Sequence, residues 1–251
     1  MVSDRLQKLD AVIAGLQYRF GPAALSRAAP TATPIARFST TFLALDDALG
    51  DHSASRSGGL PRGRITEIVG AATSGKLTLA AKTLATAHRE PDLLAAWLDL
   101  PRTCDPDYLF HCGLDLKRLL IVRPHDGGDA LAITSRLVES NTLAALVFDG
   151  ATCLAPADAG ALAGSLERLA STVTQTQASV IFLTDPRAAF RTLAHVATVR
   201  LELRRQRWFM RGNDVCGYES QAEILKNRLG RSGTSVPLRI VFADTVRGME
   251  L

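Results

Sequence analysis

The chain has 251 residues, 47% of them hydrophobic and 22% charged, with a formal net charge of +4. That length and apolar content suit one large α/β domain with a small appendage, and so weak a positive charge does not by itself argue for nucleic acid. The opening stretch MVSDRLQKLDAVIAGL is broken by Asp4, Lys8 and Asp10, and nowhere do the ~20 consecutive apolar residues of a membrane helix occur, so a soluble cytoplasmic protein is expected.

Taken in chain order, residues 4–20 place Leu6, Leu9, Ile13, Leu16 and Phe20 at steps of three and four, which predicts a helix with one apolar stripe. Gly21-Pro22 should stop it, and the Pro/Ala/Thr-rich ALSRAAPTATPIAR that follows reads as an extended linker. Residues 1–37 are therefore expected to form an N-terminal helix and linker that docks either on its own core or, as an oligomerisation arm, on a neighbouring subunit, and 38–251 the core. Strands are predicted at 65–70, 93–100, 119–124, 143–150 and 179–185, with helices at 76–88, 129–140 and 157–173 between them. Strand–helix alternation with strands apolar on both faces predicts an α/β fold, a mainly parallel sheet flanked by helices. Past residue 198, TVRLELRRQRWFM, ESQAEILKNRL and VPLRIVFAD, joined by RGNDVCG and GRSGTS, predict a C-terminal antiparallel meander. Cys104, Cys112, Cys153 and Cys216 show neither C-x-x-C pairing nor a His at metal-ligand spacing, and are expected to be reduced thiols.

The segment GAATSGKL, residues 70–77, sits where a strand turns into a helix. Glycines there expose backbone N–H groups to phosphates, a Lys neutralises the outer oxygens, and a Ser or Thr hydroxyl holds Mg²⁺. Gly70, Ala71, Ala72, Thr73, Ser74, Gly75 and Lys76 fit that phosphate loop, but Leu77 stands where the hydroxyl belongs. Thr78 lies about 100° further round the helix. LAALVFDG ends an apolar strand at Asp149, the setting of a Walker B carboxylate. The plainer alternatives are a Gly-rich strand–helix turn with a surface Lys and an Asp that merely ends a strand.

FSTTFLALDDALG, GGLPRGRITEIVGAATSGK, CDPDYLFHCGLDLKRLLIVRPHDGGDAL, LVFDG and VRLELRR…GYESQAEILKNRL occur in the order and spacing of the bacterial RecA recombinase family, which the chain resembles over nearly its whole length. The resemblance implies a RecA-like ATPase core whose N-terminal helix and linker pack on the next subunit of a filament. It implies that the Gly70–Gly75 loop and Lys76 take phosphates, with Asp149 as the Walker B acid. It also implies that Asp105 and Tyr108 hold adenine, and that Lys226 and Arg228 reach a neighbouring subunit's nucleotide. Otherwise Tyr108 is a helix-face aromatic and Lys226 and Arg228 are exposed strand residues.

The departures bear on chemistry. Pro101 stands where the family's water-activating glutamate belongs, Asp185 replaces the glutamine that senses the terminal phosphate, and Leu77 replaces the Mg²⁺ hydroxyl. Proline has no acid–base function and a carboxylate repels phosphate, so hydrolysis of the RecA type is expected to be lost. The two loops that hold single-stranded DNA in the family are cut short after FDGATCLAP and FLTDPR. The run Arg187, Arg191, Arg200, Arg204, Arg205, Arg207 and Arg211, with Trp208 and Phe209, is expected to be a solvated strand face with both aromatics turned into the core. The alternative is weak, salt-sensitive DNA contact.

These features are similar to those of the ImuA-type proteins, RecA relatives associated with error-prone translesion polymerases and the SOS response to DNA damage. They imply a DNA repair and recombination accessory that docks on RecA filaments or on a polymerase-associated partner. Weak ATP or ADP binding is expected, with Mg²⁺ poorly served and self-association left open. Two alternatives stand beside it. One is an active ATP-dependent, single-stranded-DNA-binding recombinase in which Thr78 and Asp99 compensate; the other is a module that binds neither nucleotide nor DNA.

Overall fold

The computed structural model describes residues 2–21, 35–50, 58–154, 159–188 and 191–242. The chain divides into two compact units, Met1–Pro34 and Ile35–Leu251. In the first, α1 (Val2–Phe20) leaves Leu9, Val12 and Tyr18 exposed, with Ile13 and Leu16 half-buried. It ends at Gly21, whose φ of +91° lets its N–H return to the Gln17 carbonyl at 2.8 Å. Pro22 and most of the expected linker lie outside the described residues.

The second unit opens with β1 (Arg37–Phe38), α2 (Leu43–Leu49) and β2 (Leu60–Pro61), where β1 and β2 form a small antiparallel pair. Next come β3 (Ile65–Gly70), α3 (Lys76–Ala87), β4 (Leu94–Asp99), α4 (Pro106–His111) and β5 (Leu119–Val122). They are followed by α5 (Gly127–Glu139), β6 (Leu143–Asp149), α6 (Ala159–Thr176), β7 (Ser179–Thr184) and α7 (Arg191–Val196). The described chain closes with β8 (Val199–Arg211), β9 (Asp214–Asn227) and β10 (Ser235–Val241). The eight-stranded sheet runs β10-β9-β8-β3-β7-β6-β4-β5, parallel from β8 to β5 and antiparallel through β8, β9 and β10.

Because successive strand residues face opposite sides, each central strand feeds two cores. On β6, Ala145 and Val147 join Leu79 and Leu84 of α3 on one face. Leu146 and Phe148 join Leu131 of α5 and Leu166 and Leu169 of α6 on the other. Phe148 stacks on Phe182 with ring centroids 4.8 Å apart. Helices on both faces explain why β6 and β7 are apolar on both sides until their ends, while β3 carries the buried Thr66 and Glu67.

Two features depart from the expected pattern. RGNDVCG is not a long turn: Gly212, at φ +61°, opens a two-residue loop and β9 begins at Asp214. The helix predicted at 157–173 is described from Ala159 to Thr176, and residues 157 and 158 lie outside the described residues. Where a long loop would follow β7, the segment before β8 instead carries α7, pinned by the buried Leu193.

Candidate functional site

The C-terminal ends of β3, β4, β6 and β7 meet at one edge of the sheet, with Asp99 in register with Asp149 and Val69 with Thr184. Ligands of open α/β sheets collect at such edges. A Cβ on Gly70 would stand 2.3 Å from the Ser74 Oγ, so the close return of the loop depends on glycine there. Gly75 caps α3 at φ +94°, a left-handed conformation that glycine adopts without strain. The first-turn N–H groups of α3 thus face the loop as an anion-binding end. The Ser74 hydroxyl is buried without a hydrogen-bond partner, while its carbonyl accepts from the Ser220 hydroxyl of β9 at 2.7 Å. At the loop tip, Arg205 donates to the Thr73 hydroxyl.

Lys76 is folded into its own loop. Its Nζ donates to the Gly70 carbonyl at 2.6 Å and the Thr184 carbonyl at 3.2 Å. Burial lowers its pKa, opposed by the Asp185 and Asp149 carboxylates. Asp149 is itself pushed up to about 6, by burial first and then by its neighbour Asp99. Asp99 is fully buried and committed, accepting from the Thr103 N–H at 2.9 Å and from Arg123 Nε at 3.1 Å. Asp185 accepts from the Arg187 N–H at 2.9 Å. Pro101 packs beside Gly150, where a Cβ would lie 2.7 Å from the proline Cδ.

Leu77 turns its side chain outward, 42% exposed. Thr78 points away from the loop and shares a 2.5 Å hydrogen bond with the Tyr108 hydroxyl. Asp149 therefore has no hydroxyl partner on α3 with which to share a Mg²⁺ ion. The donor set does not fit Mg²⁺, whereas the loop, its orphaned serine hydroxyl and the end of α3 fit an anion.

Beside the loop lies a cleft of about 630 Å³ lined by Phe42, Thr78, Asp105, Tyr108, Ile240 and Phe242, among others. The Asp105 carboxylate caps α4 by accepting from the Asp107 and Tyr108 N–H groups. Tyr108 is 40% exposed, and burial of its remainder raises its pKa. Thus the structure brings residues 70–78, Asp105, Tyr108 and Asp149 together at one end of the sheet. The contributions of Arg123, Thr184 and Phe242 carried no signal in the chain itself, because they arrive from a neighbouring strand, a carbonyl and a folded-back β10.

Lys226 and Arg228 lie elsewhere. Lys226 pairs with Arg200 and Arg200 with Glu67, so the basic pair sits at the far end of β9, roughly 10–15 Å back along the strands from Gly70. There they cap α7: Lys226 Nζ donates to the Ala194 and His195 carbonyls at 2.7 and 2.8 Å, and Arg228 to His195 at 2.7 Å. They cannot serve this chain's own loop.

Three of the seven arginines in the run form ion pairs. Arg200 meets the fully buried Glu67 at 2.7 Å, Arg204 meets Glu202 at 2.8 Å, and Arg207 meets Glu219 at 3.2 Å. The aromatics are not both in the core, contrary to expectation. Trp208 is 43% exposed, edge-on to Tyr218 at 5.5 Å, with Arg205 4.2 Å above its ring. The reason is topological: β3 ends opposite Leu203, so the outer half of β8 keeps β9 on one side but loses its parallel neighbour on the other.

A mainly parallel sheet with a phosphate loop after one strand and an acid ending another defines a P-loop α/β core. Residues 7–247 match the family model of the RecA N-terminal domain. The chain is 30% identical to protein RecA of Rubrobacter xylanophilus, covering 98% of this chain and 78% of that protein. It is 31% identical to protein RecA of Paenarthrobacter aurescens, over 98% and 75%, and 31% to that of Clavibacter michiganensis, over 90% and 68%. The chain belongs to the RecA family.

Proposed function

We propose that this chain is a non-hydrolysing RecA-family accessory in DNA repair and recombination, acting by contact with RecA filaments or with a translesion-polymerase partner. The observation that carries the reading is the state of the acids around Lys76. Pro101 holds the place of a general base, Asp99 is locked to Arg123 and Thr103, and Asp149 is buried beside the lysine. None is free to draw a proton from water attacking a terminal phosphate. The loop itself is intact, which fits weak ATP or ADP binding. The basic pair at the far end of β9 fits a subunit that presents Lys226 and Arg228 to a neighbour's site, as an end-to-end assembly requires.

Co-sedimentation with preformed RecA filaments tests the contact. The wild-type chain should pellet with filaments, and Lys226→Gln/Arg228→Gln should pellet at least about tenfold less, losing charge-assisted contacts across the interface. Equal pelleting of the double variant would remove this surface from the reading. A second reading, an active recombinase on single-stranded DNA, is favoured by one observation, the solvent-facing Trp208 under Arg205.

A further inference from the structure

We infer that the phosphate end of this site selects for a nucleoside diphosphate over a triphosphate, without a metal ion, and that Asp185 sets the selection. The inference rests on the reading of residues 70–76 as a nucleotide site and concerns what that site admits.

The loop lysine's ammonium reaches the β- and γ-phosphates of a bound nucleotide, so the terminal group of a triphosphate lies one phosphate beyond the point where a diphosphate ends. Here that ammonium rests on the Gly70 and Thr184 carbonyls, at the end of β7. The next residue along is Asp185, and the Asp185 and Asp149 carboxylates both act on the Lys76 charge. One cation therefore sits in the field of two anions. The nearby Asp99 and Arg123 cancel each other in a 3.1 Å ion pair. Arg205 is a further cation at the loop, but it is exposed, donates to Thr73 and stacks over Trp208.

A triphosphate normally brings Mg²⁺ to offset its charge, held by the hydroxyl after the lysine and by the acid ending the neighbouring strand. With Leu77 in that place and Thr78 bonded to Tyr108, half of the holding pair is gone. A third phosphate would enter beside Asp185 unmetallated, like charge against like charge in a half-buried setting. A diphosphate ends short of that carboxylate. It keeps the α3 N–H groups, the unpartnered Ser74 hydroxyl and the cleft beside Tyr108.

Calorimetric titration of the full chain with ADP and with ATP, each in excess Mg²⁺ and in EDTA, tests this. Wild type should bind ADP tighter than ATP by about tenfold or more, as one added like charge at such range dictates, and Mg²⁺ should leave the ratio unchanged. Asp185→Asn keeps an oxygen for the Arg187 N–H but loses the charge, and should bring the two ligands within about threefold. Asp185→Glu, which keeps the charge, should retain the preference for ADP. ATP binding as tightly as ADP in wild type, or an Asp185→Asn ratio unchanged from wild type, overturns the inference. Binding of neither nucleotide also overturns it while leaving the contact function standing; turnover of ATP overturns the contact function instead.

Discussion

At the scale of single residues, the site is governed by how few charges are free. Asp149 is the clearest case, because its folded pKa of about 6 stands above the ordinary 3.8. The folded chain then binds a proton more tightly than the unfolded chain between those values. Stability contributed by this group is full below pH 4, falls as pH rises towards 6, and is lost above it, a change of roughly 3 kcal/mol at most. Asp149→Asn removes the penalty. Chemical denaturation should show the variant more stable than wild type by about 1–3 kcal/mol at pH 7.5, with the gap closing below pH 4. A variant less stable than wild type at pH 7.5 would mean that Lys76 compensates the buried charge in full. The tie between Thr78 and Tyr108 makes a related point: a hydroxyl one place out of register is bonded into the cleft wall.

At the scale of elements, burial divides β8 in two. Its inner half is sealed at Val199, Leu201 and Leu203, while the outer half carries Trp208 into solvent. Trp208→Ala should cost under about 1 kcal/mol of stability, because an exposed side chain has little apolar contact to lose. Phe148→Ala, buried between the central strands and α5–α6, should cost about 3–5 kcal/mol. Urea denaturation of the two variants gives the comparison, and a larger loss for Trp208 would show that the hairpin is part of the core. The elements most legible in the sequence were those with the strongest local pattern. LAALVFDG and SVIFLTD are apolar on both faces because helices cover both sides, and the Gly70 and Gly75 spacing marks the turn into α3. The hairpin aromatics were misjudged because alternation along a strand says which residues share a face, not whether another layer lies over that face. The short α2 and α7 carry too few turns to show a period, and each is held by tertiary contacts such as buried Leu45 and Leu193.

At the scale of the whole molecule, the sheet separates two surfaces. One end gathers the phosphate loop, the acids and the cleft; the other holds Lys226 and Arg228 against α7. A single copy cannot join them, so whatever the basic pair does for a nucleotide it does for another subunit. This division was only half readable beforehand. Glycine spacing and a strand ending in Asp point to the loop and Asp149, but the locking of Asp99 by Arg123 depends on β4 and β5 lying side by side. The account as a whole stands on the loss of hydrolysis, and steady-state phosphate release measures that directly. Assayed with saturating ATP and Mg²⁺, with and without single-stranded DNA, the wild-type chain should release phosphate no faster than its Lys76→Ala variant. Release that Lys76→Ala abolishes would contradict the account and make the chain a working ATPase.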